Sequence, residues 1–295
     1  MTRTTTPAAA AGTWQLGSFT VNRLGFGAMR LMGGGEGRGR ETAIAVLRRA
    51  VELGVNHIDT AAFYFSGAYS ANELINTALA PYADDLVITT KVGPGRDASG
   101  EWLPPARPEQ LRGQVEENLR QLGREHLDVV NLRLGEQLER GTGSLADRFG
   151  ALAELREAGL IRELGISNVG PEHLAEAKAI APVVCVQNQY GLTARREDDD
   201  LVRLCAEQGI AFVPFFAVAS GQAAVDERVE TVARHHGVTA AQIRLAWTLH
   251  RSPNVLAIPG TGDIDHLQQN VAAGGLKLSE EDIRSIEGLG TASET

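Results

Sequence analysis

Eight short apolar runs rich in β-branched residues alternate along the chain with amphipathic stretches of helical period. No composition break interrupts the alternation, and the whole occupies 295 residues. These observations predict an α/β protein, a single (β/α)8 TIM barrel with an N-terminal β-hairpin.

Residues 1–13, with one arginine and a four-alanine run, read as a disordered tail, which leaves 14–295 as one barrel domain. Residues 13–16 and 19–22 flank Gly17-Ser18 and predict the hairpin, placed to plug the bottom of the barrel. Barrel strands are expected at 23–29, 56–61, 86–92, 127–133, 163–167, 183–187, 211–215 and 254–259. Runs such as Leu86-Val87-Ile88 and Val183-Val184-Cys185-Val186 are continuously apolar, as parallel strands under helices should be. Helices are expected at 41–53, 71–79, 108–122, 144–158, 171–179, 198–208, 229–236, 239–250 and 264–273, with one more at 279–289. Pro108-Glu109 and Pro171-Glu172 place proline in a first turn and an acid at the positive end of the dipole. Gly54, Gly123, Gly159, Gly209 and Gly237 each follow a helical run, where a left-handed cap favours glycine. Ser279 with Asp282 reads as a capping box. The acidic run Glu197–Asp200 reads as a solvated helix start, and His235-His236 as a helix C-terminus.

Composition removes several classes of function. Acidic residues outnumber basic ones, 37 to 28, and a net charge of −9 argues against a nucleic-acid partner. No window reaches the roughly 18 apolar residues that would span a bilayer. Cys185 and Cys205 sit in no CxxC or metal-ligand spacing, so buried thiols, a reducing cytoplasmic setting and no metal are expected.

A barrel of this kind carries its site at the C-terminal ends of the strands. Those positions hold Asp59 with Tyr64 five residues on, then Lys91, Arg133, Ser167-Asn168, Gln187, Phe215 and Gly260-Thr261. A buried lysine beside a phenol lowers the phenol's pKa, and an aspartate paired with that lysine keeps it charged. That combination makes a tyrosine able to donate or accept a proton near neutral pH.

GVNHIDTAAFY (54–64), TTKVG (89–93), LGREHLDVVNLR (122–133), GISNV (165–169), VQNQY (186–190) and IPGTGDIDHLQQN (258–270) together resemble the aldo-keto reductase superfamily. The likeness runs in order from about Leu24 to about Asn270. It implies an NADPH-dependent oxidoreductase, with NADH possible, that reduces an aldehyde or ketone of small size. It further implies that Tyr64 is the general acid, that Lys91 perturbs it and that Asp59 holds Lys91. Ser167, Asn168 and Gln187 would bond the nicotinamide carboxamide, and Phe215 would stack on its ring. Gly260, Thr261, His266 and Asn270 would meet the cofactor phosphates at a helix N-terminus.

Two positions depart from the family pattern. Histidine commonly ends strand four; the gap-free match puts Arg133 there, and a slip that would bring Glu136 to the position breaks the Leu122-Gly123 anchor. Arginine donates to a carbonyl oxygen with a fixed charge but cannot relay a proton. Either it orients the substrate oxygen, with a preference for anionic substrates, or it pairs with a neighbouring carboxylate such as Glu136. At the phosphate clamp, Gly260 and His266 stand where lysine and arginine are common, and Thr261 is retained. Two other uses of the same scaffold stay open: a cofactor-binding regulatory or sensor protein with little turnover, and a redox-neutral dehydratase or isomerase.

Overall fold

The computed structural model describes residues 7–33, 39–67, 69–135, 139–194, 196–215 and 226–288. The antiparallel hairpin forms where expected, β1 (Thr13–Leu16) pairing with β2 (Phe19–Asn22) in the register Leu16↔Phe19. Its buried side chains Leu16 and Val21 pack against Val87, Val129, Val184, Ala211 and Leu256, all from the barrel interior. Gly17 takes φ +62°, and a Cβ there would lie 2.5 Å from Glu163 Cδ. The Ser18 N–H donates to Glu163 Oε1 at 2.8 Å. The hairpin is therefore the floor of the barrel, and its turn is bolted to a carboxylate inside.

The barrel follows as β3 (Phe26–Gly27), α1 (Arg40–Glu52), β4 (His57–Asp59), a short hairpin of β5 (Phe65–Ser66) and β6 (Tyr69–Ser70), and α2 (Ala71–Leu79). Next come β7 (Val87–Val92), α3 (Pro108–Leu122), β8 (Leu127–Arg133), α4 (Ala146–Glu157), β9 (Ile161–Ser167), α5 (Pro171–Lys178) and β10 (Cys185–Gln187). The chain continues with α6 (Asp199–Glu207), β11 (Ala211–Phe212), α7 (Glu227–His236), α8 (Ala240–His250), α9 (Ile264–Ala273) and α10 (Glu280–Glu287). Seven strands form one parallel sheet in the order β11-β10-β9-β8-β7-β4-β3.

The eighth expected strand, 254–259, closes that sheet through single bridges, Phe212↔Val255 on one side and Leu24↔Ala257 on the other. Leu256 N–H donates to Phe212 O at 2.9 Å and Ala257 N–H to Arg23 O at 2.8 Å. The ladder stays this short because its next donors are prolines: on the β11 side Pro214 has no N–H to give Leu256 O. Pro259, with no N–H, ends it.

Helix ends obey the local chemistry. Gly123, Gly159, Gly209 and Gly237 all take the left-handed conformation behind their helices, and Ser279 closes a capping box with Asp282. Two expectations need correction. Residues 8–11 are not a disordered tail: Ala8–Ala11 form a 3-10 helix, with Ala8 buried and its N–H donating to Leu53 O at 2.8 Å. Alanines are small enough to fit beneath the end of α1. Nor is the acidic run before α6 solvated throughout, for Asp198 is buried and pairs with Arg140 and Asn188. Among the described residues no helix is long and apolar enough to cross a membrane.

Candidate active site

Strand side chains alternate between faces, so residues sharing parity with the interior Val87 and Val129 point into the barrel. That set includes Thr89 and Lys91 on β7, and Asn131 and Arg133 on β8. Register carries the same parity to His57 and Asp59, to Gly165 and Ser167, and to Cys185 and Gln187. An ordinary barrel fills these layers with branched aliphatics. Here polar side chains rise from the middle of the barrel to its mouth.

Lys91 is 2% exposed, and its Nζ donates to Asp59 Oδ1 at 2.5 Å and to Thr60 O at 3.0 Å. Burial alone would depress the ammonium. The charges of Asp59 and Tyr64 outweigh it and hold Lys91 above its ordinary value. Gln187 donates from Nε2 to the other carboxylate oxygen, Asp59 Oδ2, at 2.7 Å. Lys91 Nζ also lies 5.1 Å from the centroid of the Tyr64 ring. The structure thus brings Asp59, Lys91 and Tyr64 together.

One layer deeper, His57 is fully enclosed, with Nε2 3.1 Å from Thr89 Oγ1. Burial lowers its pKa to about 4, with Asp59 pulling up and Lys91 pushing down, so the ring is neutral at physiological pH. The Cys185 thiol donates to Asn131 Oδ1 at 3.1 Å, and burial pushes its pKa up.

The strand ends are fixed from outside by a polar chain that motif reading missed. Thr60 Oγ1 donates to Asn72 Oδ1 at 2.8 Å, and Asn72 Nδ2 to Asn118 Oδ1 at 2.9 Å. Thr90 Oγ1 donates to the same Asn118 oxygen at 2.6 Å. The residues after β4 and before Lys91 are thereby tied to α2 and α3. The available signal was asparagine on the apolar phase of two amphipathic helices.

Arg133, at the end of β8, places its guanidinium 5.0 Å from the centroid of the Phe215 ring. Burial draws its pKa below the ordinary value while Tyr64 and Asp59 oppose that, so the side chain is a cation facing the Tyr64 end of the site. Glu136, the carboxylate considered as its partner, lies outside the described residues. Around Tyr64, Phe63 meets the phenol edge-on at 5.1 Å and the Trp102 ring at 5.7 Å. Arg96 packs over Trp102 and Phe65.

Apart from Phe215, which meets Arg133, the expected cofactor residues divide into three groups. Ser167 and Gln187 are register partners, and Ser167 Oγ and Gln187 Oε1 are buried polar atoms with no partner within the protein. An acceptor beside a hydroxyl suits a carboxamide, whose NH2 and C=O would satisfy both. Asn168 donates from Nδ2 to Leu134 O and Glu139 O in the loop that follows β8, and it takes φ 64°. Gly260, Thr261, His266 and Asn270 run from the last strand segment into α9. A Cβ on Gly260 would overlap Gly27 O, and Gly27 is the register partner of Asp59. Thr261 Oγ1 accepts from the Asp263 N–H at 3.1 Å, and Asp263 caps α9 by accepting from the His266 N–H at 2.9 Å. That loop lies on the same rim as the Asp59 layer.

Residues 23–291 match the model of the Aldo/keto reductase family. The chain is 46% identical over 285 residues to a pyridoxine 4-dehydrogenase of Escherichia coli, covering 95% of this chain and 99% of that protein. It is 38% identical over 292 residues to an uncharacterized oxidoreductase of Schizosaccharomyces pombe, covering 97% and 92%. Among solved structures it resembles a thermostable aldo-keto reductase bound to the inhibitor epalrestat, with TM-score 0.78, 31% identity, and 94% and 99% of the chains covered. It also resembles an aldo-keto reductase of Klebsiella pneumoniae bound to NADPH, with TM-score 0.75, 27% identity, and 92% and 91% covered.

Proposed function

This chain belongs to the aldo/keto reductase family, and we propose that it moves hydride between NADPH and the carbonyl of a small aromatic aldehyde, reversibly. The observation that carries this reading is the buried Lys91–Asp59 pair, 2.5 Å between charged atoms, set against the ring of Tyr64. A nicotinamide cofactor, when bound, supplies the hydride in reduction and takes it up in oxidation. In reduction the Tyr64 phenol donates its proton to the carbonyl oxygen; in oxidation the phenolate removes the proton of the alcohol. Lys91 stabilises that phenolate electrostatically, and Asp59 holds Lys91 in place and charged. Arg133 donates hydrogen bonds to the substrate oxygen from a fixed cation, without relaying a proton.

The pyridoxine 4-dehydrogenase relative supports a substrate of that class. Pyridoxine carries its reacting hydroxymethyl group beside a ring hydroxyl, which ionises readily. A guanidinium at the mouth suits an anionic oxygen next to the reacting carbon, and Phe63 and Trp102 provide flat apolar walls. Ser167 and Gln187 would hold the carboxamide, Phe215 would pack on the nicotinamide, and Gly260, Thr261, His266 and Asn270 would approach the phosphates. Thr261 and the α9 N-terminus favour NADPH, while the Asp263 carboxylate beside His266 narrows its advantage over NADH. Sensor and redox-neutral uses are not favoured, because the family match and the dehydrogenase relative both point to hydride transfer.

The test is absorbance at the reduced-nicotinamide band with NADPH and a panel of aldehydes that includes pyridoxal, salicylaldehyde and benzaldehyde. Tyr64→Phe should lower kcat by about 10²-fold or more, the range of a general acid. Arg133→Ala should cost more with the two hydroxyl-bearing aldehydes than with benzaldehyde. Equal losses across the panel would remove the anion preference, and full activity in Tyr64→Phe would sink the mechanism.

A further inference from the structure

Gln187 is bonded on one side only. Its Nε2 donates to Asp59 Oδ2 at 2.7 Å, while Oε1 is buried and unpartnered beside the unpartnered Ser167 Oγ. Its amide therefore has a fixed polarity: the donor end is committed to the charged pair and the acceptor end faces the place where a carboxamide would sit. An amide can turn its ends around, and what its neighbours offer decides which end points where.

We infer that Gln187 is a positioning residue that couples the seating of the cofactor carboxamide to the Asp59–Lys91 pair. This rests on the mouth of the barrel being the nicotinamide site. An NH2 group donating to Gln187 Oε1 fixes the amide with Nε2 on Asp59. That leaves Asp59 Oδ1 to Lys91 alone. In the reverse direction, the carboxylate of Asp59 compels Gln187 to present an acceptor to the cofactor. Coupling of this kind is reciprocal, so a change at Asp59 must appear as a change in cofactor recognition.

Asp59→Asn tests it. Lys91 Nζ requires an acceptor, so the introduced amide turns its oxygen toward Lys91 and its NH2 toward Gln187. Two NH2 groups cannot share a hydrogen bond. Gln187 must turn over, accept with Oε1 and aim Nε2 at the cofactor. The pocket then meets the NH2 of a carboxamide with a donor.

The measurement is the Kd of NADPH against that of reduced 3-acetylpyridine adenine dinucleotide phosphate, followed by quenching of tryptophan fluorescence. The analogue keeps the carbonyl and lacks the NH2, and both dihydropyridine rings are neutral, so direct charge effects of the substitution cancel in the ratio. Wild type should prefer NADPH by about fivefold to tenfold, the worth of one neutral hydrogen bond. In Asp59→Asn the ratio should fall to about one or invert. In Gln187→Met it should fall to about one, and adding Asp59→Asn to that background should leave it there.

A ratio in Asp59→Asn equal to wild type overturns the coupling, as does an equal shift in the Gln187→Met background. If Asp59→Asn does not fold, wild type supplies the second test. The Gln187 side-chain amide protons, assigned by their loss in Gln187→Met, should exchange with solvent at least tenfold more slowly under NADPH than under the acetyl analogue. Equal exchange overturns the inference. Failure of NADPH to bind wild type removes the nicotinamide site itself, an outcome distinct from binding without coupling.

Discussion

Replacing Lys91 by methionine keeps most of the side-chain volume and removes the ammonium. Asp59 is then left as a buried carboxylate, its side chain 4% exposed, with the Gln187 amide as its remaining donor among the bonds described. Breaking a buried ion pair from one side costs about 3–5 kcal/mol, since the surviving charge has lost both its water and its counterion. At a urea slope of about 3 kcal/mol per M, the unfolding midpoint should fall by at least about 1 M. The double variant Asp59→Asn/Lys91→Met removes both charges while keeping an acceptor for the Gln187 amide, and a neutral pair of similar volume is commonly as stable as the ion pair or more so. Its midpoint should return most of the way to wild type. Turnover should not return with it, because Tyr64 still lacks the cation 5.1 Å from its ring centroid. Equilibrium urea unfolding of the three proteins, alongside kcat, separates the two roles. A loss below about 1 kcal/mol in Lys91→Met, the value of a solvent-exposed pair, would refute the claim that this pair is a desolvated unit.

Two further outcomes follow from the barrel interior. His57 titrates at about 4 in the folded protein against an ordinary 6.5. Between those values the unfolded chain binds a proton that the folded one refuses, so stability falls as pH drops from about 6.5 toward about 4 and levels off below. The shift is worth about 2–3 kcal/mol between pH 7 and pH 4.5. His57→Asn should remove that part of the slope, and an unchanged slope in chevron-derived or equilibrium stabilities would contradict the assignment. Gly165→Ala places a methyl group on Asn131 Oδ1 and Cys185 Sγ inside the barrel. Overpacking there should cost about 1–3 kcal/mol, or about 2–12 °C in Tm; calorimetry showing no change would mean that this layer has unexpected slack.

Local chemistry made much of this molecule readable. Gly123 and Gly237 stop their helices because only glycine takes a left-handed cap without strain. Pro108 and Pro171 begin theirs, and α2, α3 and α9 run between the residues their periodicity indicated. The hairpin was legible from a two-residue turn between alternating runs. Asp59 and Lys91 fall at the ends of apolar strand runs and Tyr64 five residues beyond Asp59, and the fold gathers strand ends on one face.

What remained hidden depends on partners far away in the chain. Gln187 and Asp59 are 128 positions apart, and nothing local to either says that one amide proton will meet that carboxylate. Asn168 has the residue type of a ligand-binding amide, and carbonyls more than twenty-five positions away hold its Nδ2 end. Asp198 belongs to an acidic run that composition assigns to solvent, and only the approach of Arg140 buries it. The eighth strand shrinks to two bridges because Pro214 and Pro259 lack the N–H groups that would extend it, a local cause whose effect appears only where the strands pair. Periodicity and capping act within a few residues, so the sequence alone determines elements, their ends and the face on which chemistry gathers. Hydrogen bonds inside the barrel are set by which strands adjoin or face one another across it, and that was decided only when the sheet closed.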